Sequence, residues 1–348
     1  MKIAQVAPLA ESVPPRLYGG TERVVSYLTE ELVRLGHEVT LFASGDSQTT
    51  ARLVACAPRA LRLDPEVTDA LPHHLLMIER VLSRVHEFDV LHFHVEHVHL
   101  PLFRPYAHKC VTTLHGRLDL PDLVPLYREF HEMPLVSISN AQRRPLAGAN
   151  WVGTVYHGLP DAVCPCNPAP RGQYLAFLGR ISPEKGIEHA IEIARRAGQR
   201  LRIAAKIDRV DEAYWHSRVK PLVSGPLIEF VGEVSEEDKP SFLGNASALL
   251  FPIDWPEPFG LVMIEAMSCG TPVIAWPRGS VPEIVEPGVT GFITSSVDEA
   301  VAAVGAAVGL DRVRVRQRFE ERFSATRMAL DYLALYRKVG VKKTELVP

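Results

Sequence analysis

The segment Glu257-Pro-Phe-Gly-Leu-Val-Met-Ile-Glu265 combines two carboxylates with a glycine that can open a helix. The apolar run before it, 248–251, predicts a buried strand, and the residues after Gly260 predict a helix. The first N–H groups of a helix have no intrahelical acceptor and lie at the positive end of the helix dipole, so they bind anions well. The expected phosphate ligands are the amides of Gly260, Leu261 and Val262.

The two glutamates of this segment suit different parts of a phosphorylated ligand. Glu265 lies one turn into the predicted helix, where its oxygens can accept hydrogen bonds from the vicinal hydroxyls of a ribose. Glu257 lies before the helix and is expected to face the group beyond the phosphate. For either carboxylate alone, an acidic residue that merely complements the helix dipole is an open alternative.

A second charged segment, Gly179-Arg-Ile-Ser-Pro-Glu-Lys-Gly186, lies between a predicted strand, 174–178, and a predicted helix, 187–197. In an open parallel sheet, the carboxyl ends of the strands face the ligand crevice. Arg180 and Lys185 are therefore placed to neutralise a diphosphate, the arginine through its planar fork and the lysine as a point charge. Taken singly, such basic residues are more often solvated surface side chains.

Two loops in the first half of the chain also follow predicted strands. Gly19 and Gly20 come after the strand 3–7, and paired glycines either allow close approach of a ligand or simply serve a turn. The loop lacks G-x-G-x-x-G spacing, which argues against a dehydrogenase. His115 follows the strand 110–114, where an imidazole either donates to a sugar hydroxyl or to developing charge, or is structural.

Histidines are concentrated in one short stretch of the chain. Imidazoles ligate metals, but no Cys or Glu pattern completes a zinc set, so no metal site is predicted. Contacts on the acceptor side are instead expected from His94, Arg117 and Arg143. The histidines of the stretch are His86, His92, His94, His97 and His99.

The elements that must position these residues repeat in the two halves of the chain. Each half begins with a strand, a loop, a helix and a second strand, which predicts right-handed crossovers onto a parallel sheet. Four prolines between residues 160 and 170 interrupt both helix and strand patterns and mark a linker, 161–170. The sequence thus predicts two doubly wound α/β domains, 1–160 and 171–325, with a ligand cleft between them.

Composition excludes several classes of protein. The chain has 348 residues, is 47% apolar and has a formal net charge of −3, so it is globular and offers no field that would recruit nucleic acid. Five scattered cysteines favour a reducing cytoplasm over a disulfide framework. No signal peptide or membrane-length apolar run is evident, although contact with a membrane surface stays open. The arginine-rich run 312–327 is expected to form one solvated helix face.

The segment 257–265, followed by Ala-Met-Ser-Cys-Gly-Thr-Pro-Val-Ile, resembles the E-x7-E motif of retaining glycosyltransferases with the GT-B fold, family 4. The segment 179–186 is similar to the G-R-x-x-x-x-K-G segment of that family. The pair Gly19-Gly20 resembles its G-G loop, and His115 matches its active-site histidine. The resemblance covers nearly the whole chain.

This resemblance implies two facing Rossmann-like domains and a last helix, around 326–338, that returns to the N-terminal domain and adds 326–348 to it. It also implies that the glycine loop approaches the donor phosphates and that no metal or other cofactor is required. Arg180 and Lys185 would bind the donor diphosphate and stabilise it as a leaving group. The catalytic residues implied are His115, Arg180, Lys185 and Glu257.

One segment departs from the family pattern. Many members carry a glycine-rich turn where this chain has Lys206-Ile-Asp208. Lys206 is expected to provide a further phosphate contact, and the backbone of Val231 and Val234 is expected to form the other wall of the nucleobase pocket.

The function predicted from the sequence is a retaining hexosyltransferase that uses a nucleotide diphosphate-sugar, with UDP favoured and GDP next. A sugar-nucleotide epimerase of the same fold and a catalytically silent nucleotide-binding protein are the alternatives. The acceptor stays open among a polysaccharide, a lipid-linked glycan and a small metabolite, and so does the oligomeric state.

Overall fold

The computed structural model of the protein describes residues 1–16, 19–163 and 165–341. The chain forms two units: Met1–Gly158 with the chain from Ala325 onward, and Leu159–Ser324. The expected linker, 161–170, is grouped with the second unit, where the Asn167 amide donates to the Cys269 carbonyl at 3.0 Å. Residues 17, 18, 164 and 342–348, which include parts of the predicted glycine loop, linker and N-terminal domain, lie outside the described residues.

The first unit is built on a parallel sheet. Its strands are β1 (Lys2–Val6), β2 (Glu38–Ser44), β3 (Arg52–Ala57), β4 (Val90–Phe93), β5 (Cys110–Thr113), β6 (Leu135–Ser137) and β7 (Trp151–Thr154). Over the described residues their order is β3-β2-β1-β4-β5-β6-β7, and every pair is parallel. The central strands β4 and β5 are buried along their whole length, as expected for a parallel sheet covered on both faces.

The second unit repeats this plan. Its strands are β8 (Tyr174–Arg180), β9 (Arg200–Lys206), β10 (Ile228–Gly232), β11 (Ala248–Phe251), β12 (Val273–Ala275) and β13 (Gly291–Ile293). In the part of the chain that the structure describes, they form one parallel sheet in the order β10-β9-β8-β11-β12-β13.

Helices connect most of these strands. They are α1 (Gly20–Arg34), α2 (Leu71–Leu82), α3 (Leu100–Phe103), α4 (Leu123–Glu129), α5 (Ile187–Arg196), α6 (Glu212–Tyr214), α7 (Lys239–Gly244), α8 (Leu261–Ser268), α9 (Val281–Ile284), α10 (Val297–Val308), α11 (Arg312–Phe323) and α12 (Ala325–Val341).

Both sheets reverse their strand order at one point. Counted within each unit, the spatial order begins 3-2-1-4, so the direction of winding changes between β1 and β4 and between β8 and β11. Loops that leave the carboxyl ends of the strands at such a point diverge and open a crevice for ligands. The two predicted Rossmann-like domains are confirmed, and each has one crevice position of its own.

The last helix, α12, belongs to the first unit although it follows the second unit in sequence. It packs against α1 and β5. Its buried residues Tyr332 and Tyr336 hydrogen bond to Thr113 and His92, at 2.9 and 2.7 Å. The predicted return of this helix to the N-terminal domain is confirmed.

The elements that the sequence did not predict include three edge strands. The outermost strands β3 and β7 and the short strand β13 are only partly buried, so their apolar pattern is weak. Helices α2 and α10 were also missed. Most predicted elements that are present start and end within two residues of the predicted bounds, which is the usual uncertainty at the ends of elements, and α12 ends three residues later than predicted.

The prediction of one solvated arginine face over 312–327 is wrong. The run is divided between α11 and α12, and Arg312 is only 7% exposed. Its guanidinium donates to the carbonyls of Asn167 (2.7 Å), Gly244 (2.8 Å) and Ala246 (2.9 Å) and to the Thr271 hydroxyl (2.6 Å). Charge patterning could not reveal this, because the acceptors come from three distant parts of the sequence.

Arg312→Ala is expected to lower the free energy of unfolding of the second unit by about 3 kcal/mol or more, because several buried acceptors lose their donor together. Urea denaturation of the full chain provides the measurement. Arg314→Ala is the matched control on the same helix, since the Arg314 side chain is 51% exposed, and it should change stability by less than about 0.5 kcal/mol. Equal effects of the two substitutions would contradict a structural role for Arg312.

Candidate functional site

The predicted phosphate-binding segments of the second unit meet at its switch point. Arg180 is the last residue of β8, and Lys185 lies in the turn between β8 and α5. The neighbouring strand β11 leads through a loop to Glu257 and then to α8. The cations and the E-x7-E segment therefore approach the same crevice position from its two sides.

Lys185 and Glu257 form a direct ion pair. Lys185 Nζ lies 2.7 Å from Glu257 Oε2, and the two side chains are 19% and 13% exposed. Trp255 Nε1 donates to the same oxygen at 2.8 Å. Lys185 Nζ is also 5.3 Å from the centroid of the Trp255 ring, within the range of a cation–π interaction. The three side chains hold one another in place.

Gly186 permits the close packing that brings Lys185 to this position. Its φ is +71°, and a Cβ at this residue would lie 1.9 Å from the Pro252 carbonyl oxygen. The Asp254 amide donates to the Glu184 carbonyl at 2.9 Å. The loop after β8 thus lies directly on the loop after β11, which a side chain at residue 186 would prevent.

Gly260 caps α8 in the left-handed conformation, with a φ of +81°. This backbone conformation favours glycine, because L side chains rarely adopt it. Leu261 and Val262 form the first turn of α8, whose N–H groups have no intrahelical acceptor. Such first-turn amides suit an anion, and their contact with phosphate stays a prediction.

Arg180 is surrounded by carboxylates. Its guanidinium donates to Glu184 at 2.8 Å and lies 3.7 Å from Asp208 and 3.6 Å from Asp211. Asp208 also pairs with Lys206, at 2.9 Å, so it lies between the two cations. An anion that binds Arg180 or Lys206 must replace some of these contacts.

Glu265 is part of a buried charged pair. The residue is 5% exposed, and its Oε1 accepts from Lys239 Nζ at 2.9 Å. Lys239 also donates to Glu236 at 2.7 Å, which shares the positive charge between two carboxylates. The structure therefore holds Glu265 in a fixed position inside the unit, and its contact with ribose stays a prediction.

Val231 and Val234 line an open cavity of about 500 Å³. Arg202 and Tyr174 also line this cavity, and Tyr174 is the first residue of β8. The cavity therefore extends along the sheet toward its amino edge, away from the loops that are predicted to bind phosphate. Its shape does not identify a base, and the role of the two valines stays a prediction.

In the first unit, the glycine pair opens α1 beside the switch point between β1 and β4. Gly19 caps the helix, and Gly20 is its first residue. A Cβ at Gly19 would lie 2.8 Å from Pro15 Cβ. Local packing alone thus explains a glycine at residue 19, and the predicted approach to donor phosphates is not required to account for it.

The loop that carries His115 is held by hydrogen bonds on both sides. Glu96 Oε1 accepts from the amides of His115 (3.0 Å) and Gly116 (3.1 Å). Gln142 Nε2 donates to the carbonyls of Leu114 and Gly116, at 2.9 Å each. Burial raises the pKa of Glu96 and lowers that of His115 to about 3, so the imidazole is neutral at physiological pH.

The prediction that His94 contacts an acceptor is wrong. The residue is 1% exposed, and both of its ring nitrogens are used within the protein. His94 Nδ1 lies 2.9 Å from His115 Nε2, and His94 Nε2 lies 2.8 Å from Gln5 Oε1. The His94 ring is therefore enclosed within the first unit and has no ring nitrogen left for an acceptor.

Arg117 and Arg143 were the other residues expected on the acceptor side. The exposed Arg117 donates twice to Asp119, at 2.7 and 2.9 Å. Arg143 is partly exposed and precedes the short 3₁₀ turn Arg144–Leu146. Among the described residues, neither side chain hydrogen bonds to His115, and the roles of both arginines stay predictions.

The remaining histidines of the dense stretch serve the core or the surface. His92 and His99 are fully buried, and His99 stacks on Phe93 with ring centroids 3.9 Å apart. Within the ranges 1–16, 19–163 and 165–341, no three His, Cys, Asp or Glu side chains are grouped so that they could hold a metal ion. No helix in those ranges is long and apolar enough to cross a membrane.

The side chains that shape these loops and that sequence reasoning missed include Gln5, Glu96, Lys239 and Trp255. Trp255 lies two residues before Glu257, so the motif could have drawn attention to it, but a single tryptophan is not a specific signal. The other three act across long separations in sequence. They could be recognised only from the fold.

Comparison with known proteins agrees with this arrangement. The family model described as glycosyl transferases group 1 matches residues 167–322, and that of glycosyltransferase family 4 matches residues 18–169. Alpha-maltose-1-phosphate synthase of Mycobacterium tuberculosis is 26% identical over 401 residues, covering 96% of this chain and 99% of that protein.

Solved structures share the fold over their full length. AviGT4, a glycosyltransferase involved in avilamycin A biosynthesis, is 27% identical, with 98% of each chain covered and a TM-score of 0.74. HepE of Anabaena, solved with UDP and glucose, is 18% identical, with 97% of this chain and 100% of that chain covered and a TM-score of 0.73. This chain therefore belongs to the group 1 glycosyltransferases, enzymes of the GT-B fold that transfer sugars.

Proposed function

We propose that the protein transfers a hexosyl group from a nucleotide diphosphate-sugar to an acceptor hydroxyl, with retention at the anomeric carbon. The contact between Lys185 and Glu257 at the switch point carries this proposal. A cation suited to a diphosphate and a carboxylate suited to sugar hydroxyls are 2.7 Å apart, beside the first-turn amides of α8.

Charge stabilisation of the departing diphosphate is the main catalytic effect in this proposal. Negative charge grows on the diphosphate as the glycosidic bond breaks, so cations fixed in advance favour the transition state over the ground state. Arg180 and Lys185 supply those cations. The carboxylates around Arg180 keep its guanidinium in place until the diphosphate replaces some of them as its partners.

Retention is proposed to follow from attack on the same face of the sugar as the departing group. Glu257 Oε2 already accepts from Lys185 and Trp255, and such hydrogen bonds lower the nucleophilicity of a carboxylate. We therefore assign Glu257 to orienting the transferred sugar. A glycosyl adduct trapped on Glu257 would overturn this assignment.

A uridine nucleotide is the first candidate for the donor, with a guanosine nucleotide next. HepE, which shares the fold, was solved with UDP and glucose, ligands of the proposed donor class. Glu265, held by Lys239, is assigned to the ribose. The acceptor is a carbohydrate, a lipid-linked glycan or a small molecule that carries a hydroxyl, and the reaction is proposed to take place in the cytoplasm.

A thermal-shift panel of UDP, GDP, ADP and their glucose and mannose derivatives tests the donor class. A ligand at 100 times its dissociation constant should add about 2.7 kcal/mol of stability. Absence of a shift with every nucleotide would refute the proposal. A new sugar nucleotide formed without acceptor would identify an epimerase, and a shift without any turnover would identify a silent binding protein.

A further inference from the structure

Buried polar side chains of the first unit form a hydrogen-bonded chain that ends at His115. Tyr336 of α12 accepts from Gln5 Nε2 at 3.2 Å. Gln5 Oε1 lies 2.8 Å from His94 Nε2, and His94 Nδ1 lies 2.9 Å from His115 Nε2. Gln5, His94 and Tyr336 are each at most 1% exposed, so these contacts are shielded from solvent.

The polarity of this chain determines the ring proton of each imidazole. An amide oxygen only accepts, so His94 Nε2 must carry the proton that it donates to Gln5. A neutral imidazole has one ring proton, and His94 Nδ1 therefore presents a lone pair. His115 Nε2 must donate to that lone pair, which leaves His115 Nδ1 without a proton.

A second branch of the network is consistent with this polarity. Because Tyr336 Oη accepts from Gln5, its own proton can be donated to His92 Nδ1, 2.7 Å away. His92 Nε2 then donates to Thr113 Oγ1 at 2.7 Å, which is also 2.9 Å from the Tyr332 hydroxyl. Each donor along the branch meets an acceptor.

The hydrogen-bonded chain ends at the one ring nitrogen of His92, His94 and His115 that the network does not use. His115 Nδ1 is buried, and among the described residues no hydrogen-bond partner is within reach of it. The residue follows β5 at the carboxyl edge of the first sheet, on the loop held by Glu96 and Gln142. A buried acceptor that the fold leaves without a donor is suited to a ligand that brings one.

We propose that Gln5 and His94 are positioning residues that fix His115 as the Nε2–H tautomer, so that its Nδ1 accepts a hydrogen bond from a substrate hydroxyl. A phosphate dianion or a carboxylate has no proton to donate and would be repelled by the lone pair. The site thus selects a neutral hydroxyl of the sugar or acceptor. The assignment of the ligand rests on the proposed function, whereas the tautomer does not.

Two-bond ¹H–¹⁵N correlation spectra of the full chain labelled with [¹⁵N]histidine test the tautomer directly. The signals of His115 are assigned by their loss in His115→Asn. We expect neutral Nε2–H forms for both His94 and His115 near pH 7, without any nucleotide present. An Nδ1–H or a charged His115 would overturn the proposal. Because no substrate is used, this result is independent of whether the proposed reaction occurs.

Two substitutions at residue 5 test the consequence for activity. Gln5→Leu removes the acceptor for His94, and we expect kcat to fall about 10- to 100-fold, the usual range for losing a partner that orients an active-site imidazole. The thermal shift produced by UDP should be unchanged, because the predicted diphosphate and ribose contacts of Arg180, Lys185 and Glu265 belong to the second unit. Tyr332→Phe, at the far end of the second branch, is the control and should retain kcat within about twofold.

Gln5→Glu is the conservative variant and keeps the proposal testable if Gln5→Leu fails to fold. Its carboxylate still accepts from His94 Nε2, so kcat should be near that of the wild type at about pH 8. At lower pH the carboxylate favours a protonated His94, which would donate to His115 Nε2 and reverse the polarity. The titratable groups facing His94 are His92, His115 and His157. A new loss of kcat on the acid side supports the proposal, and a wild-type pH profile contradicts it.

Discussion

Acidification from about pH 7.5 to about pH 4.5 is expected to unfold the first unit while the second unit stays folded. Burial lowers the pKa of His99 and of His115 to about 3, and the pKa values of His92, His94 and His157 lie well below the ordinary value. These rings remain neutral in the folded unit. In the unfolded chain they bind protons near pH 6.5.

The sign of the effect follows from this difference in proton binding. Above about pH 6.5 neither state is protonated at these rings, so their contribution to stability does not depend on pH. Between about pH 6.5 and the folded pKa of each ring, which is about 3 for His99 and His115, the unfolded chain binds more protons and stability falls. Each ring costs about 1.4 kcal/mol per pH unit in this range. His99 and His115 alone thus cost about 5 kcal/mol at pH 4.5, which approaches the whole stability of a typical domain.

Hydrogen–deuterium exchange of the full chain at several pH values measures this loss and assigns it to a unit. The second unit is an internal control, because its sequence contains only His189 and His216. His99→Phe should make the first unit less sensitive to acid, and His131→Gln, which changes an exposed ring, should not. Equal loss of protection in both units at the same pH would contradict the histidine explanation.

Lys185→Ala is expected to lower kcat by about 10²- to 10³-fold, the range for removing one preorganised charge from a transition state, and to abolish the thermal shift with UDP. Lys185 donates to Glu257 Oε2, and its removal leaves the donation from Trp255 to the same oxygen in place. Turnover with UDP-sugars and nucleotide thermal shifts provide the two readouts.

Matched variants separate the direct and indirect effects of this substitution. Arg196→Ala removes a comparable cation from an exposed ion pair with Asp298 and should change neither readout. If Lys185 acts only by holding Glu257, then the double variant Lys185→Ala/Glu257→Gln will have the same kcat as Glu257→Gln alone. If UDP shifts the thermal stability of Lys185→Ala as much as that of the wild type, then Lys185 does not bind the donor.

The sequence by itself determined the architecture of each unit and the identity of the loops at their carboxyl edges. Apolar periodicity predicts the order of strands and helices, and that order requires parallel sheets. Gly186 and Gly260 mark a loop that packs closely on its neighbour and the start of a helix. Arg180, Lys185 and Glu257 could be named because local motifs connect them to these loops.

Only the tertiary structure decided which side chains meet. The contacts of Lys185 with Glu257, of Lys239 with Glu265 and of Arg312 with its carbonyl acceptors all depend on the packing of elements far apart in the chain. Periodicity describes one element at a time and carries no information about such partners.

The dense histidine stretch also shows that sequence patterns do not identify the partners of a side chain. In sequence it suggested contacts with an acceptor, because exposed and buried imidazoles cannot be distinguished on a short strand. The fold instead places His94 between Gln5 and His115, and the return of α12 adds Tyr336 to that network. Burial there converts a polar residue into a hydrogen-bonding part of the core, because a buried imidazole must satisfy its nitrogens within the protein.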